Sequence, residues 1–271
     1  MGCSVPSNKR MKLTIALASA PRDTEEGFGV LALRRAPRAR SLSAVLGGRF
    51  ELRLLMDDEG FAVFPELFSE RELVALAEAL GQWPLERSRA GARHLLSCPA
   101  VDSLARDPRL LAIASRALGS EARPFGATLF DKSAGANWLV VWHQDTALPV
   151  RERREIPGWG PWSVKGGVVY AHAPASAQAG VVALRVHLDH SSSTNGPLRV
   201  LPGSHRLGVL EDAEIHALAE RVAPVACVAP RGSVVMMRPL LVHSSSKAAV
   251  ADPRRVVHLE YAASSCMELW S

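Results

Sequence analysis

The spacing of apolar residues changes along this chain, from a helical period in its first half to short extended runs after residue 123. The sequence Ser-Glu-Arg-Glu that begins at Ser69 is a capping box, and it predicts a helix that ends near Gly81. A second helix is predicted to start at Asp107-Pro108 and to end at Gly119, because an Asp cap followed by proline suits a first helical turn. Before both helices, the apolar run Phe61–Phe64 is typical of a short strand.

Beyond Arg123 the chain consists of short β-prone runs separated by Gly- and Pro-containing turns. The runs are Thr128–Phe130, Trp138–Trp142, Val181–Leu188, Leu198–Leu201, Ser233–Met237 and Arg255–Tyr261. Many short strands of this kind predict a mainly β fold, a sandwich or barrel, with the helices packed outside it. One long interruption, residues 151–180, is charged and then rich in Gly, Pro and Trp, and we expect it to form a lid or substrate loop.

The basic charge of the chain is concentrated at its N-terminal end. Residues 1–55 contain ten Lys/Arg and four Asp/Glu, whereas residues 56–271 contain 22 and 23. The first segment is also Arg-rich, unpatterned and interrupted by prolines. We therefore expect a poorly ordered basic leader over residues 1–55 and one folded domain over residues 56–271. Because the folded part is close to neutral, nucleic acid is not an expected partner.

Cysteine usage and hydropathy favour a cytoplasmic protein. The four cysteines are scattered without a CxxC pair, which is typical of reduced thiols and not of a disulfide framework or a zinc knuckle. No apolar run approaches the ~18–20 residues needed to span a bilayer, so no membrane association is expected. The sequence indicates no oligomeric state.

The triplet His143-Gln144-Asp145 places two metal-ligating side chains two residues apart, after the β-prone run Trp138–Trp142. On a strand, residues i and i+2 point to the same face, so the imidazole and the carboxylate converge. A second histidine, His243, follows another apolar run. Together the three side chains can form the two-His, one-carboxylate facial triad, which leaves adjacent positions open on Fe(II).

The open positions suit 2-oxoglutarate, which would occupy two of them, and O2, which would occupy the third. The distal carboxylate of 2-oxoglutarate then needs a fixed bidentate cation, which favours arginine over lysine. Arg254 and Arg255 stand shortly after His243, at the head of the next run, and either could serve. The chain contains a second His-x-Asp triplet, His187-Leu188-Asp189, but no further His and Arg set accompanies it.

Three stretches of the chain carry a resemblance to a known family. They are the Trp-His-Gln-Asp sequence ending at Asp145, the Asn-Gly-Pro-Leu-Arg-Val-Leu-Pro-Gly-Ser-His sequence from Asn195, and the Arg-Pro-Leu-Leu-Val-His-Ser-Ser-Ser-Lys sequence from Arg238. They look like the phytanoyl-CoA dioxygenase family, and the similarity extends over roughly residues 57–263. The stretch from Asn195 is its most distinctive part.

The resemblance implies a double-stranded β-helix (jelly-roll, cupin-like) core, an Fe(II) centre and the cosubstrates 2-oxoglutarate and O2. It also implies that His143, Asp145 and His243 hold the metal. Arg254, more than Arg255, matches the cosubstrate arginine, and Gln144 is implied as a neighbour of the cosubstrate. At Arg185 relatives often have Trp, so this chain departs from them by adding a cation near the iron. That cation would suit an anionic substrate, and Arg185 is also a candidate cosubstrate contact.

The expected function is therefore hydroxylation of a small molecule by an Fe(II)- and 2-oxoglutarate-dependent dioxygenase, with 2-oxoglutarate converted to succinate and CO2. Two alternatives stay open. One is a jelly-roll metal enzyme that does not use 2-oxoglutarate, such as an isomerase or lyase, and the other is a non-catalytic metal-binding regulatory protein. The substrate is not predicted. Candidate contacts to it are Arg93, Trp159, Trp162, Lys165, Tyr170 and His172.

Overall fold

A computed structural model describes residues 49–88, 91–133, 136–250 and 252–264. The helices are α1 Arg49–Asp58, α2 Glu70–Gln82, α3 Pro99–Ala105, α4 Pro108–Leu118, α5 Ala175–Gln178 and α6 Asp212–Arg221, with 3₁₀ turns at Leu95–Ser97 and Ser204–Leu207. The strands are β1 Phe61–Phe64, β2 Arg87–Ser88, β3 Gly91–Ala92, β4 Ala122–Lys132, β5 Val140–His143, β6 Ala147–Val150, β7 Trp162–Lys165, β8 Val168–His172, β9 Val181–His187, β10 Leu198–Val200, β11 Val225–Ala226, β12 Val234–Met237, β13 His243–Ser245 and β14 Arg254–Ala263. Within these ranges no helix is long and apolar enough to cross a membrane.

The strands form three antiparallel sheets. The major sheet has seven strands in the order β1-β12-β9-β14-β4-β3-β2, and the minor sheet has four in the order β11-β10-β13-β5. A third, three-stranded sheet has the order β6-β8-β7. Strands that are far apart in sequence are therefore neighbours in both larger sheets, as in a jelly roll.

Apolar side chains cover both faces of the major sheet. On one face Leu184 and Leu259 pack against α4 through Leu110. On the other face Ala183 and Met237 contact the minor sheet, as part of a second apolar cluster. Two facing sheets with helices outside the larger one confirm the predicted mainly β, jelly-roll core with flanking helices.

The predicted helix signals are confirmed, with one change at an end. Ser69 caps α2, its hydroxyl accepts from the backbone N–H of Glu72, and the Glu72 side chain returns a bond to the Ser69 backbone. The helix continues one residue past Gly81, because a glycine inside a helix weakens it without breaking it. Asp107 caps α4, and Gly119 ends it in the left-handed conformation.

The expected end of the leader at residue 55 needs correction. Helix α1 crosses that position, and Leu52 and Met56, four residues apart on one helical face, are 1% and 0% exposed. Both belong to the apolar cluster between the helices and the major sheet. A buried helical face fixes this segment to the domain, so the packed chain begins before Met56. Residues 1–48, to which the rest of the leader prediction applies, lie outside the described residues.

The segment 151–180, expected to be a loop, contains ordered strands. Lys165 pairs with Val168 across a two-residue turn, Gly166-Gly167, in which both glycines have positive φ. Gly-Gly between extended runs is a hairpin signal, because the turns that match strand twist need positive φ. Strand β6, which begins two residues after Asp145, pairs with β8 and extends the hairpin to three strands.

A turn at Gly196 brings two parts of the domain into close contact, and we expect Gly196→Ala to destabilise it strongly. The φ of Gly196 is +70°, and an added Cβ would lie 2.4 Å from the Ser246 carbonyl oxygen and 3.0 Å from Lys132 Nζ. Positive φ alone costs an alanine about 1–2 kcal/mol, so the total loss of unfolding free energy should exceed about 2 kcal/mol. Urea denaturation would measure it.

Gly167→Ala is the matched control, because Gly167 has φ +78° but no atom within 4 Å of the added Cβ. Its loss should stay near the conformational cost of about 1–2 kcal/mol. Equal losses in the two variants would mean that the close approach at Gly196 contributes nothing.

Candidate metal centre

Two strands of the minor sheet bring the predicted ligands together. His143, the last residue of β5, lies directly opposite His243, the first residue of β13. The chain leaves β5 after His143, and the backbone N–H of Asp145 donates to the Pro239 carbonyl at 2.9 Å. That bond holds Asp145 next to the segment that leads into β13, so all three side chains meet at one end of the minor sheet.

The orientation of both imidazole rings is set by the backbone. The Nδ1 atoms of His143 and His243 each lie 2.8 Å from the carbonyl oxygen two residues earlier. Nδ1–H then donates, and the lone pair of each Nε2 remains free for a metal. The two Nε2 atoms lie 3.6 and 3.5 Å from the Asp145 carboxylate oxygens.

The three side chains present the donor set of a facial triad. Their ligand atoms all lie within 4.8 Å of one another, and no other such group of His, Cys, Asp or Glu occurs among the residues that the structure describes. Two imidazole nitrogens and one carboxylate oxygen on one side of a metal suit Fe(II). The side chain of His243 is 6% exposed, whereas those of His143 and Asp145 are 35% and 41% exposed, so solvent reaches the cluster from the side of His143 and Asp145.

The charge states of Asp145 and His243 favour metal binding. Burial by itself would raise the pKa of Asp145, but the adjacent His243 and His143 rings hold that pKa well below its usual range. Burial lowers the pKa of His243 to about 4. An ionised carboxylate beside a neutral imidazole is the state in which both can donate electron pairs. At His143 burial would lower the pKa, but the adjacent Asp145 carboxylate raises it, so a metal bound there would displace a proton.

The second His-x-Asp triplet does not form a ligand pair. Strand β9 ends at His187, so Asp189 no longer follows the alternation of the strand. The Asp189 carboxylate instead accepts from Arg255 Nε and Nη2, each at 2.8 Å, and from the Arg255 backbone N–H. The His187 ring is buried without a hydrogen bond. Asp189 and Arg255 thus form an ion pair away from the triad.

Arg254, in contrast, is a buried cation whose hydrogen-bonding capacity is largely unused. It is 3% exposed, and its Nε and Nη1 have no partner, while Nη2 lies 3.3 Å from Ser245 Oγ. No carboxylate pairs with it in the described parts of the chain. A buried guanidinium without a counter-ion is costly unless a ligand supplies one, and a carboxylate fits its two free N–H groups.

A second buried cation, Lys132, lies beside Arg254. Lys132 pairs with Arg254 across strands β4 and β14 and is fully buried. Its Nζ donates to Ser245 Oγ at 2.9 Å and to the Ser246 carbonyl at 2.6 Å. Burial, together with the charge of Arg254, lowers the pKa of Lys132 to about 8. Two adjacent cations make this end of the cavity a site for an anion.

Arg185 also points into the interior of the barrel. It is 7% exposed, lies opposite His258 in the pairing of β9 with β14, and places Nη1 3.1 Å from His258 Nδ1. Its guanidinium carbon stands 5.0 Å over the Phe130 ring. Burial lowers the pKa of Arg185, and the charge of Asp145 opposes that shift. Arg185 is therefore a buried cation whose charge interacts with Asp145. Its role at the site stays a prediction.

Gln144 is occupied by main-chain groups. Its Nε2 donates to the carbonyls of Gly208 and Leu240 at 2.8 and 2.7 Å, and its Oε1 accepts from the Leu210 N–H at 2.8 Å. The side chain joins the segment before β13 to the loop before α6. A contact with the cosubstrate would have to replace one of these bonds, and that role stays a prediction.

The structure adds three inward-facing polar residues that the sequence argument missed: Lys132, His258 and Glu260. His258 and Glu260 follow Arg254 at even intervals on β14, so they share its side of the strand. His258 is buried, and burial with the charge of Arg185 lowers its pKa to about 3. Polar residues at alternate positions in an apolar strand were the available signal.

The candidate substrate contacts differ in what they touch in the structure. Trp159 packs in an apolar cluster with Leu148, and His172 Nδ1 lies 2.7 Å from Thr146 Oγ1. Lys165 Nζ stands 5.0 Å from the centre of the Tyr170 ring. The remaining two, Arg93 and Trp162, lie outside those contacts, and Trp162 faces the guanidinium of Arg153. A substrate role for any of these residues stays a prediction.

A jelly roll with one His–Asp–His cluster and a buried arginine beside it defines the class of non-haem iron oxygenases. The comparison with protein families agrees. The profile of the family Phytanoyl-CoA dioxygenase (PhyH) matches residues 56–256, and this chain belongs to that family. It is accordingly a 2-oxoglutarate-dependent non-haem iron dioxygenase, and Fe(II), 2-oxoglutarate and O2 are its cofactor and cosubstrates.

Relatives of known activity lie at moderate distance. L-Proline trans-4-hydroxylase of Streptomyces griseoviridis is 26% identical over 209 residues, which cover 65% of this chain and 69% of that protein. Ectoine dioxygenase of Bordetella bronchiseptica is 26% identical over 242 residues, covering 75% and 71%.

Solved structures share the fold. The crystal structure of EctD from S. alaskensis with 2-oxoglutarate and 5-hydroxyectoine has a TM-score of 0.62 at 23% identity, covering 80% of this chain and 76% of that one. AviO1 from Streptomyces viridochromogenes Tue57 has a TM-score of 0.57 at 24% identity, covering 80% and 96%.

Proposed function

We propose that this enzyme hydroxylates a carbon atom of a small organic molecule. One oxygen atom of O2 enters the substrate as a hydroxyl group, and the other enters 2-oxoglutarate, which loses CO2 and becomes succinate. The observation that carries the proposal is that the chain has both the His143, Asp145 and His243 cluster and the buried cation Arg254. Arg254 has N–H groups without a partner, which can bind an anion. A jelly-roll metal enzyme that does not use 2-oxoglutarate would not require that cation.

Each residue then has a specific task. His143, Asp145 and His243 would hold Fe(II), with both rings fixed by their carbonyl partners. Arg254 would bind the distal carboxylate of 2-oxoglutarate through paired N–H groups, with Lys132 adding a second positive charge. When bound, the iron with its cosubstrates supplies the oxidant for the C–H bond. The chain itself contributes the placement of substrate and the exclusion of water.

Arg185 would assist the cosubstrate. The charge of Arg185 interacts with those of His243 and Asp145 in the triad. It also interacts with the charges of Lys132 and Arg254, which form the cationic end of the cavity. Arg185 therefore lies between the triad and the cationic end. A 2-oxoglutarate molecule that reaches from the iron to Arg254 would pass Arg185. We therefore assign Arg185 to the anionic cosubstrate and not to the substrate.

The relatives support a small polar substrate. One acts on L-proline and the others on ectoine, according to their names. Neither is an acyl thioester, although the family takes its name from one.

The test needs no substrate. Fe(II) and then 2-oxoglutarate are added to the metal-free protein without oxygen, and the visible charge-transfer band of the chelated complex is recorded. We expect a band that saturates with one 2-oxoglutarate per protein. Iron binding without a band would favour a metal enzyme that does not use 2-oxoglutarate, and absence of iron binding would favour a regulatory protein.

We also propose a cytoplasmic location. Cys98 and Cys227 are buried free thiols, as expected in a reducing compartment. Nucleic acid is not proposed as a partner, because residues 56–271 are close to neutral.

A further inference from the structure

Glu260 is an acidic residue on the inner side of the barrel that the proposed chemistry does not use. It lies on β14 opposite Ala183 of β9 and Gly126 of β4. Two residues earlier His258 faces Arg185, and six residues earlier Arg254 faces Lys132. The inner side of β14 therefore runs from a cationic end, through the residues next to the triad, to an acidic end.

The space around Glu260 exists because its neighbour lacks a side chain. A Cβ on Gly126 would lie 2.3 Å from Glu260 Oε2. The carboxylate therefore occupies the place that a side chain at position 126 would fill, and any larger residue there would displace it. Gly126 thus leaves room for the inward-facing carboxylate of Glu260, at a position of the barrel where an apolar side chain would also fit.

Among the described residues, the Glu260 carboxylate has no hydrogen-bond or ion-pair partner. Burial, and then the charge of Asp145, raises its pKa to about 7, while Arg93 and Lys165 act in the opposite direction. A half-buried carboxylate in this position is unfavourable in the absence of a ligand, and a cation placed beside it would stabilise it.

Arg93, Lys165 and Tyr170 interact electrostatically with Glu260. Arg93 follows β3, Lys165 ends β7, and Tyr170 lies in β8, so three separate elements contribute. Lys165 Nζ stands over the Tyr170 ring, and the His94 ring lies 6.3 Å from Tyr170. Arg93 makes no hydrogen bond or ion pair within the described ranges. Within the described residues, the carboxylate of Glu260 is thus unpaired, and neither Arg93 nor Lys165 forms an ion pair with a carboxylate.

We propose that Glu260 is the specificity-determining residue for a zwitterionic substrate, and that it binds the protonated amine while Arg93 and Lys165 bind the carboxylate. The inference rests on the proposed function and adds the substrate class, a small amino acid or cyclic imino acid. The cationic end, with Arg254 and Lys132, and the neighbouring Arg185 are taken up by the cosubstrate, so the acidic end is left for the molecule to be hydroxylated. Glu260 and His258 share the inner side of β14, and the charges of Asp145 and Glu260 interact, so a molecule bound at Glu260 would lie on the side of the strand that faces the triad.

A panel of matched compounds tests the charge requirement. The probes are the protein-forming L-amino acids and cyclic imino acids, and the N-acetyl derivative of each, in which the nitrogen carries no charge. Binding is followed without oxygen as a shift of the Fe(II)–2-oxoglutarate band, and turnover with oxygen is followed as succinate release. We expect at least one zwitterion to shift the band and raise succinate release, and its N-acetyl derivative to bind at least about tenfold more weakly.

The variant Glu260→Gln keeps the shape of the side chain and removes its charge. We expect the variant to bind 2-oxoglutarate as the wild type does. Its affinity for the zwitterion should fall roughly 10- to 100-fold, and it should no longer prefer the zwitterion to the N-acetyl derivative. Glu121→Gln is the matched control, because Glu121 is an exposed carboxylate beside Arg123 at the edge of β4. It should leave both bindings unchanged.

The outcomes separate this inference from the function on which it rests. A wild-type protein without the 2-oxoglutarate band contradicts the proposed function itself. A normal band that no zwitterion shifts, an N-acetyl derivative that binds as well as its parent, or a Glu260→Gln variant with unchanged preference would each overturn the role of Glu260. Any of these three leaves the oxygenase assignment in place.

Discussion

Replacing Asp145, His143 or His243 by alanine is expected to abolish 2-oxoglutarate decarboxylation. Each supplies one of the three donor atoms that lie within 4.8 Å of one another, and a two-ligand remainder cannot hold Fe(II) in a defined geometry. Loss of a residue that only orients a ligand already costs roughly 10- to 100-fold, so loss of a ligand should exceed about 100-fold. Succinate release and the visible band measured on the same samples check this.

His187→Ala is the control for that experiment. His187 belongs to the second His-x-Asp triplet and is buried near Arg185 and Arg254, yet neither of its ring nitrogens has a partner. Its replacement should leave iron binding nearly intact. Asp145 is the most informative ligand to change, because its side chain is 41% exposed and its removal opens no buried cavity. A loss of iron in His187→Ala equal to that in Asp145→Ala would refute the ligand assignment.

Replacing Arg254 by alanine is expected to raise the half-saturating concentration of 2-oxoglutarate sharply. A hydrogen bond to a charged group contributes about 1.5–3 kcal/mol, which corresponds to roughly 10- to 100-fold in affinity. Iron binding should persist, because Arg254 is not among the three clustered ligands. Titration of 2-oxoglutarate into the Fe(II) protein without oxygen measures the change directly. Arg254→Lys should recover part of the affinity, since a lysine keeps the charge without the paired N–H groups.

Arg255→Ala provides the comparison within the same strand. Arg255 is engaged by Asp189 through two side-chain bonds at 2.8 Å and is partly exposed. Its loss should lower the free energy of unfolding by roughly 1–2 kcal/mol and leave 2-oxoglutarate affinity unchanged. If only Arg255→Ala weakens the cosubstrate, then the neighbouring arginine has been assigned the wrong role.

The sequence was most informative where function depends on local spacing. The spacing of His143 and Asp145 predicted two convergent side chains. They converge although β5 ends at His143, because the backbone bond to Pro239 holds Asp145 beside the segment that leads into β13. The capping box at Ser69 and the cap at Asp107 were correct because a helix start depends on residues within one turn. The hairpin of β7 and β8 was not predicted, although Gly166-Gly167 is a hairpin turn sequence. The charged and aromatic composition of the segment indicated a loop instead.

The choice between Arg254 and Arg255 shows where sequence reasoning stops. Alternation states that two adjacent residues point to opposite sides, but it does not state which side is the interior of the barrel. On most strands the apolar side identifies the interior. Strand β14 is largely buried on both sides, so exposure does not mark one side as the outer one. It also carries arginine at two adjacent positions, one on each side of the strand, so residue type alone does not show which of the two faces the interior.

The sequence by itself determined the family, the donor types and the spacing that makes them ligands, because these depend on residue identity and on neighbours along one strand. The tertiary structure decided which His-x-Asp triplet meets His243, which arginine faces the cavity, and that Lys132 and Glu260 lie at its two ends. These facts depend on strand register between segments far apart in the chain. Register is fixed by the packing of whole sheets, and no local pattern of residues encodes it.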